Sequence, residues 1–143
     1  MELLNEWIKY FDKFNIEEKI NITLKRIEGK IALYNKEQLY NKGVTSDNSA
    51  VTPLYTPLTI KIKKSKGQRT DHVTLKDTGA FHNSMFVVYA PRSFQIYARN
   101  NKTNKLVKKY GDNIFGMTDI NINKMNWEDV YPALMQEIRK DIK

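Results

Sequence analysis

The chain has 143 residues, of which 24 are lysine or arginine and 16 are aspartate or glutamate, and it therefore carries a net charge of +8. It has no cysteine, which excludes a disulfide framework, a thiolate zinc site and a thiol nucleophile. No apolar run approaches the roughly 18 residues of a membrane span, and the acidic, amphipathic first residues are not typical of a signal peptide. We therefore expect a single soluble, intracellular domain.

The first 41 residues have the apolar spacing of helices. A short helix is predicted from Leu3, Leu4, Trp7, Ile8, Phe11 and Phe14. Asn15 and Glu18 then form a capping box, and apolar residues recur every three or four positions at Ile16, Ile20, Leu24, Ile27, Ile31 and Tyr34. This pattern predicts one long helix that ends near Asn41, with Gly43 as its terminator. Both apolar stripes are expected to face the core.

Residues 42–72 change character, because glycine, proline, serine and asparagine interrupt the segment. Pro53 and Pro57 bias the residues before them toward extended conformations. Thr59–Lys63 alternates apolar and basic side chains, which favours a short extended piece, and a basic tip follows at Lys63–Arg69. We expect this region to be a long extended arm that does not pack within its own domain.

From residue 73 onward the pattern predicts short strands and helices. The first expected element is a short helix capped by Asp77 or Thr78, and two strands follow, Phe86–Tyr89 and Phe94–Ala98, around a turn at residues 91–93. A helix over Leu106–Tyr110 is expected to stop at Gly111, and a last strand is expected at Ile114–Met117. The chain then forms an amphipathic helix from Trp127 to Ile142, capped by Asn126. The predicted fold is one α+β domain, 1–143: N-terminal helices (1–41), the extended proline-containing arm (42–72), and a small antiparallel β-meander with short helices and the C-terminal helix (73–143).

The excess positive charge is concentrated in the middle of the chain. Residues 1–60 carry eight basic and eight acidic groups, whereas residues 61–110 carry twelve basic groups against Asp71 and Asp77 alone. Residues 111–143 carry four basic and six acidic groups. A localised positive field of this kind is typical of a surface that faces nucleic acid or an acidic partner.

Enzymatic chemistry has little support in the sequence. His72 and His82 lie near Asp71 and Asp77, and hydrolases use histidine and aspartate as metal ligands and as general acids or bases. However, no paired-histidine or Glu-x-x-His spacing accompanies them. No phosphate-binding glycine pattern and no nucleophile elbow is found. We predict no catalytic, metal-binding or cofactor-binding residue. The expected positions are a loop for His72 and the polar face of a short helix for His82.

Nucleic-acid contact is better supported. One basic group comprises Lys61, Lys63, Lys64, Lys66, Arg69 and Lys76, and a second comprises Arg99, Lys102, Lys105, Lys108 and Lys109. Phosphate contacts of this type are independent of sequence and weaken with salt. Four tyrosines are candidate stacking surfaces, namely Tyr55, Tyr89, Tyr97 and Tyr110. The candidate contacts with DNA or an acidic partner are Lys61, Lys63, Lys64, Lys66, Arg69, Lys102 and Lys105.

One ten-residue stretch carries a family resemblance. Leu75, Thr78, Gly79, Phe81 and Ser84 give it the form Leu-x-x-Thr-Gly-x-large apolar-x-x-Ser. This form resembles the signature of the tail-completion and neck proteins of tailed bacteriophages, the virion morphogenesis group. The similarity extends over about residues 40–143. Segments Tyr55–Thr59 and Lys64–Gly67 are also similar to small structural proteins of crAss-like phages.

The resemblance implies a structural virion protein and not an enzyme. It implies a head–tail connector, neck or tail-completion subunit, assembled in the host cytoplasm into an oligomeric ring between portal and tail. Its partners would be further copies of itself, the portal and other neck or tail proteins, and packaged DNA through non-specific contact; no membrane partner is implied. The arm residues expected to contact partners are Tyr55, Leu58, Ile60 and Ile62. The alternative function is a small DNA-binding protein without sequence specificity.

Overall fold

A computed structural model describes residues 2–13, 15–91 and 93–141, except for the side chains of residues 7, 8 and 10–13. Its elements, in chain order, are α1 (Glu2–Lys13), α2 (Ile16–Arg26), α3 (Glu28–Glu37), α4 (Pro57–Ser65), α5 (Ala80–Asn83), β1 (Met85–Ala90), β2 (Ser93–Ala98), α6 (Thr103–Tyr110), α7 (Asp119–Met125) and α8 (Tyr131–Asp141). The chain therefore mixes helices with a two-stranded antiparallel sheet, as the sequence predicted. Within the described residues, no helix has both the length and the apolar character needed to cross a membrane.

The N-terminal helix is interrupted, and the prediction of one long helix is wrong. The Asn15 cap is confirmed, since its side chain accepts a hydrogen bond from the Glu18 amide at 3.1 Å. The helix breaks at Ile27, where φ is −101° and ψ is 16°. Gly29 lies two residues farther on, and glycine has the lowest helix propensity after proline. The break allows α2 to pack on α8 while α3 packs on β1.

The predicted stop at Gly43 is confirmed. A wider π-helical turn, Gln38–Lys42, follows α3, and Gly43 ends it with φ at +62°. A side chain at this position would collide with the ring of His72, so both the backbone angle and the space require glycine. His72 is thus a loop residue as expected, and its Nε2 lies 2.6 Å from the Tyr40 carbonyl oxygen.

The expected extended arm is wrong in two respects. Part of the segment is packed into the core, since Thr45 is 3% exposed and Val51 is 1% exposed. The piece expected to be extended at Thr59–Lys63 is part of helix α4. Thr56 caps this helix by accepting a hydrogen bond from the Thr59 amide at 3.2 Å. Pro57 occupies the first turn, where a backbone N–H would have no partner within the helix, so proline costs no hydrogen bond there.

The predicted strand pair is confirmed. β1 and β2 pair antiparallel, with Met85 opposite Ala98 and Ala90 opposite Ser93. Val87 lies opposite Ile96, and both are buried, so this face of the hairpin covers the core. The short helix predicted before β1 is α5, and Met85, two residues after its end, already belongs to the strand.

The strand predicted at Ile114–Met117 is wrong. A single 3₁₀ turn, Asp112–Ile114, is followed by irregular chain that two buried side chains of the N-terminal half hold in place. Asn35 donates to the Ile114 carbonyl at 2.9 Å and accepts from the Gly116 amide at 2.8 Å. Gln38 accepts from the Thr118 amide at 2.9 Å and donates to the Gly116 carbonyl at 3.2 Å. These bonds replace the ladder that a strand would have supplied.

The C-terminal helix begins earlier than predicted. Thr118 caps α7, because its hydroxyl accepts from the Asn121 amide at 3.3 Å. A π-helical turn, Asn126–Val130, joins α7 to α8, so Asn126 lies within the helix and not at its cap. The predicted stop of α6 at Gly111 is confirmed. Ion pairs such as Arg26–Glu137, at 3.2 Å, connect α2 to α8.

Candidate interaction site around the Thr78–Gly79 turn and helix α4

Four of the five resemblance residues line one small cavity of about 200 Å³. These are Leu75, Thr78, Gly79 and Phe81, and three lysines of the predicted basic groups, Lys63, Lys76 and Lys102, line the same cavity. Tyr55 and Tyr110 complete its aromatic part. The fold thus brings together, at one point, residues that the sequence separates by more than fifty positions. We refer to this cavity as the turn pocket.

The resemblance residues shape the backbone of the turn pocket. Leu75 has φ at +55° and Gly79 has φ at +90°, so the chain enters the left-handed region twice within five residues. The N-cap of α5 is Gly79 and not the predicted Asp77 or Thr78, although the Thr78 hydroxyl accepts a hydrogen bond from the Ala80 amide at 3.3 Å. Phe81 is buried and packs its ring 5.9 Å from that of Phe115. The role of these residues is therefore structural: they build a sharp turn and anchor it.

Ser84, the fifth resemblance residue, lies outside the cavity but fixes its wall. Its hydroxyl donates to the Phe81 carbonyl at 2.8 Å and accepts from the Asn100 amide at 3.0 Å. Asn100 itself lines the turn pocket. Ser84 consequently joins the end of α5 to the loop that carries Lys102.

Lys63 connects helix α4 to the turn pocket. Its ammonium donates to the Lys76 carbonyl at 3.0 Å and to the Gln68 side chain at 3.2 Å, and it lies 5.0 Å from the centre of the Tyr55 ring. The Tyr55 hydroxyl in turn accepts from the Thr74 amide at 2.9 Å. Tyr55 and Lys63 therefore hold α4 against the body of the protein. The partner contact and base stacking predicted for these two side chains would have to compete with these intramolecular contacts.

Two of the predicted DNA-contacting cations have acidic partners. Lys66 lies 3.3 Å from a carboxylate oxygen of Asp77, which also accepts from Gln68 at 2.8 Å. The Gln68 hydrogen bond and the Lys66 charge lower the pKa of Asp77. Arg69 pairs with Asp71 through two hydrogen bonds of 2.6 and 3.0 Å, and this contact lowers the pKa of Asp71 to about 2. The pairing reduces the charge that these two cations offer to phosphate.

The remaining predicted cations are exposed. Lys61 and Lys64 lie on α4, Lys102 lies at the mouth of the turn pocket, and Lys105 lies on α6. The turn pocket itself joins the two basic groups of the sequence, because Lys63 of the first group and Lys102 of the second both line it. Lys76 belongs there too, with its ammonium 4.8 Å from the centre of the Tyr40 ring. A phosphate or carboxylate surface is the ligand that this arrangement fits best.

Helix α4 has two faces of different character. Thr59, Ile60 and Lys63 are half-buried and turn toward the body of the protein. Leu58 and Ile62, one helical turn apart, are 67% and 48% exposed. Ile60 was predicted to contact a partner together with Leu58 and Ile62, but it faces the body of the protein and they face solvent. We call the side that carries Leu58 and Ile62 the outer face of α4.

The sequence reasoning missed Leu54, which is 67% exposed just before the cap of α4. Leu54 lies in irregular chain before the helix, so the four-residue helical spacing that relates Leu58 to Ile62 does not extend to it.

The two histidines bind different parts of the backbone, His72 the Tyr40 carbonyl and His82 the Thr74 carbonyl. His82, predicted on a polar helix face, is instead 4% exposed, and its Nε2 lies 2.9 Å from the Thr74 carbonyl oxygen. Burial lowers its pKa, so the ring is neutral at pH 7 and its Nε2–H donates to Thr74. Among the residues that the structure describes, no group of three or more histidine, aspartate or glutamate side chains could hold a metal ion.

Comparison of the chain with protein-family models, with curated proteins and with solved structures found no match. The resemblance to phage tail-completion proteins accordingly stays a prediction that rests on the residues of the turn pocket.

Proposed function

We propose that this chain is a structural virion protein of a tailed bacteriophage, namely a head–tail connector, neck or tail-completion subunit that assembles into an oligomeric ring between portal and tail. The observation that carries the proposal is the outer face of α4. Leu58 and Ile62 are large apolar side chains exposed on a well-capped helix whose opposite side is held to the body by Lys63. Contiguous apolar surface of this kind is characteristic of protein contacts.

Two further features support a ring subunit. The resemblance residues Leu75–Ser84 build the turn beside which α4 is anchored, so the family signature and the contact face belong to one structural unit. Exposed lysines lie on α4, just before α6 and on α6, at Lys61, Lys64, Lys102 and Lys105, and positive surface of this kind suits a ring that surrounds a DNA channel.

The proposal is tested by counting the chain in purified phage particles by quantitative mass spectrometry against the major capsid protein. A closed ring predicts about a dozen copies per particle. A copy number in the hundreds would place the chain in the capsid or tail tube, and absence from the particle would overturn the proposal.

The alternative, a DNA-binding protein without sequence specificity, is favoured by the same exposed cations. It predicts tight duplex binding by the isolated monomer, with a logarithmic salt slope that falls by about 0.9 for each lysine removed from a phosphate contact. The informative variant is Lys61→Glu/Lys64→Glu/Lys102→Glu. The matched control, Lys9→Glu/Lys42→Glu/Lys124→Glu, also reverses three charges, at exposed sites outside the turn pocket. Equal, weak binding by all three proteins in fluorescence anisotropy would exclude the alternative.

A further inference from the structure

A groove of about 950 Å³ borders strand β2. Its other walls come from α2, the irregular chain after α6, and helices α7 and α8. The groove reaches the core, because several of the residues that line it are almost completely buried. These are Leu24, Ile96, Met117, Met125 and Val130, which are 2–9% exposed. The hydrogen-bonding groups of its walls therefore restrict what it can hold, since a buried polar group needs a partner.

The outer edge of β2 faces this groove. Residues 94–97 line it in succession, although their side chains alternate between the two faces of the hairpin. A surface that touches four consecutive residues of a strand also touches the edge of that strand. Among the residues that the structure describes, β2 pairs with β1 alone, so its other edge has no strand beside it.

The ladder places the backbone groups of Phe94 and Ile96 on this free edge. The Arg99 amide donates to the Ser84 carbonyl at 3.1 Å, which makes these two residues a bonded pair at the end of the ladder. Bonded and non-bonded pairs alternate in an antiparallel ladder, so Gln95 bonds to β1, whereas the amides and carbonyls of Phe94 and Ile96 point away from it. These four groups have no other hydrogen-bond partner within the described part of the chain.

A second wall of the groove, the irregular chain after α6, has unpaired backbone groups as well. Side chains of α3 and of the turn after it bind the amides of Gly116 and Thr118. Met117 lies between these residues and is 6% exposed, yet neither its amide nor its carbonyl bonds to another described residue. Buried backbone groups are paired in nearly all folded proteins. Two walls of one groove thus offer donors and acceptors that await a partner.

We propose that this groove binds an extended segment of a protein partner, whose backbone pairs with the free edge of β2. An extended segment carries N–H and C=O groups at the strand repeat, so it bonds to Phe94 and Ile96 together. A helix cannot do so, because its backbone groups already bond to one another. The apolar lining favours large apolar side chains at every second residue of the segment. The inference does not depend on the ring function proposed above.

The first test measures amide hydrogen exchange in the free chain by NMR. Phe94 and Ile96 should exchange about tenfold faster than Gln95 and Tyr97, whose amides bond to β1. All four amides belong to one strand, so unfolding of β2 as a whole affects them equally. Equal rates would show that the edge groups already have partners, and would overturn the proposal.

The second test supplies the partner as a displayed library of short random peptides, selected on the whole chain. The strongest binder is then synthesised with N-methyl groups at alternate residues, in two versions shifted by one position. Each version lacks the N–H donors of one strand edge and keeps the side chains. We expect at least one version to bind about tenfold more weakly than the parent peptide. Equal binding by all three peptides would exclude backbone pairing.

The site of binding is read from the same amides. The parent peptide should slow the exchange of Phe94 and Ile96 by about tenfold and change that of Gln95 and Tyr97 by less than about twofold. Protection of other amides alone would place the peptide elsewhere and overturn the proposal. A selection that yields no peptide with this signature would show that water suffices for the groove, with the same consequence.

Two isoleucines of α7 give a matched pair of variants. Ile122 lines the groove and is 38% exposed, whereas Ile120 is 67% exposed and lies outside it. Ile122→Arg should weaken binding of the selected peptide about tenfold, and Ile120→Arg should change it by less than about twofold. Circular dichroism of both variants controls for folding. Equal effects would contradict binding in the groove.

These outcomes are separate from the test of the ring function. Failure of strand pairing would leave the count of copies per phage particle unaffected. Conversely, a peptide that protects Phe94 and Ile96 would support strand pairing even in a chain that is absent from phage particles.

Discussion

Replacing Gln38 with methionine tests the buried contact that shapes one wall of the groove. Gln38 is 2% exposed; its side-chain oxygen accepts from the Thr118 amide and the Asn121 side chain, and its side-chain nitrogen donates to the Gly116 and Val44 carbonyls. Methionine fills nearly the same space, so little cavity is created and the loss comes mainly from the three backbone groups left without this partner. At about 1 kcal/mol for each of the three backbone groups, the free energy of unfolding should fall by about 3 kcal/mol.

The measurement is urea denaturation followed by circular dichroism, with Gln136→Met as the matched control. Gln136 is exposed on α8, and its side chain accepts from Arg26 at 2.8 Å, so water replaces the partner when this bond is lost. We expect the control to change stability by less than about 0.5 kcal/mol. Equal losses in Gln38→Met and Gln136→Met would refute the reasoning, because burial would then have no bearing on the cost.

Three further outcomes are expected. In the same assay, Gly79→Ala should lower the free energy of unfolding by about 1–2 kcal/mol, because φ is +90° at this position. Gly29→Ala should raise it by about 0.5–1 kcal/mol, because Gly29 lies in a helix and an added Cβ would have no atom within 4 Å. Stability should fall as the pH drops from 7 to 5, because burial depresses the pKa of His82 in the folded chain and the unfolded chain therefore takes up the proton first. His82→Gln should flatten this part of the pH profile, and an unchanged slope would contradict the assignment. Tyr55→Phe should cost about 1 kcal/mol through the lost bond to the Thr74 amide, and a loss below 0.3 kcal/mol would show that the hydroxyl does not anchor α4.

Local signals in the sequence were sufficient for several elements. Asn15 before an apolar stripe predicted the start of α2, and Gly43 and Gly111 predicted two helix stops that the structure confirms. The alternation of side chains over Phe94–Ala98 predicted β2. In each case the determining interaction lies within a few residues along the chain.

The misassignment of α4 came from giving one effect of proline too much weight. Pro57 does hold Thr56 in an extended conformation, with φ at −68° and ψ at 157°. This same conformation is what an N-cap residue adopts, and Thr56 with Pro57 is therefore a helix start. The prediction used the extended conformation of the residue before proline and left out the preference of threonine and proline for the start of a helix.

Other features could not be predicted because they depend on distant residues. Ile114–Met117 has the apolar character of a strand, but Asn35 and Gln38, some eighty positions earlier, bind its backbone. Similarly, the turn pocket and the groove each draw their walls from several separate segments of the chain. Only the tertiary fold determines which lysines, carboxylates and apolar side chains meet.

The cap of α4 has a consequence for the kinetics of assembly. Thr56 and Pro57 form the helix within the monomer, and Lys63 and Tyr55 fix it to the body before any neighbour arrives. A segment that folds on binding loses conformational entropy at that moment, whereas a preformed helix does not. Association through α4 should therefore proceed as the encounter of two rigid surfaces, with a rate that the local lysines raise and salt lowers, and without a folding step to limit it.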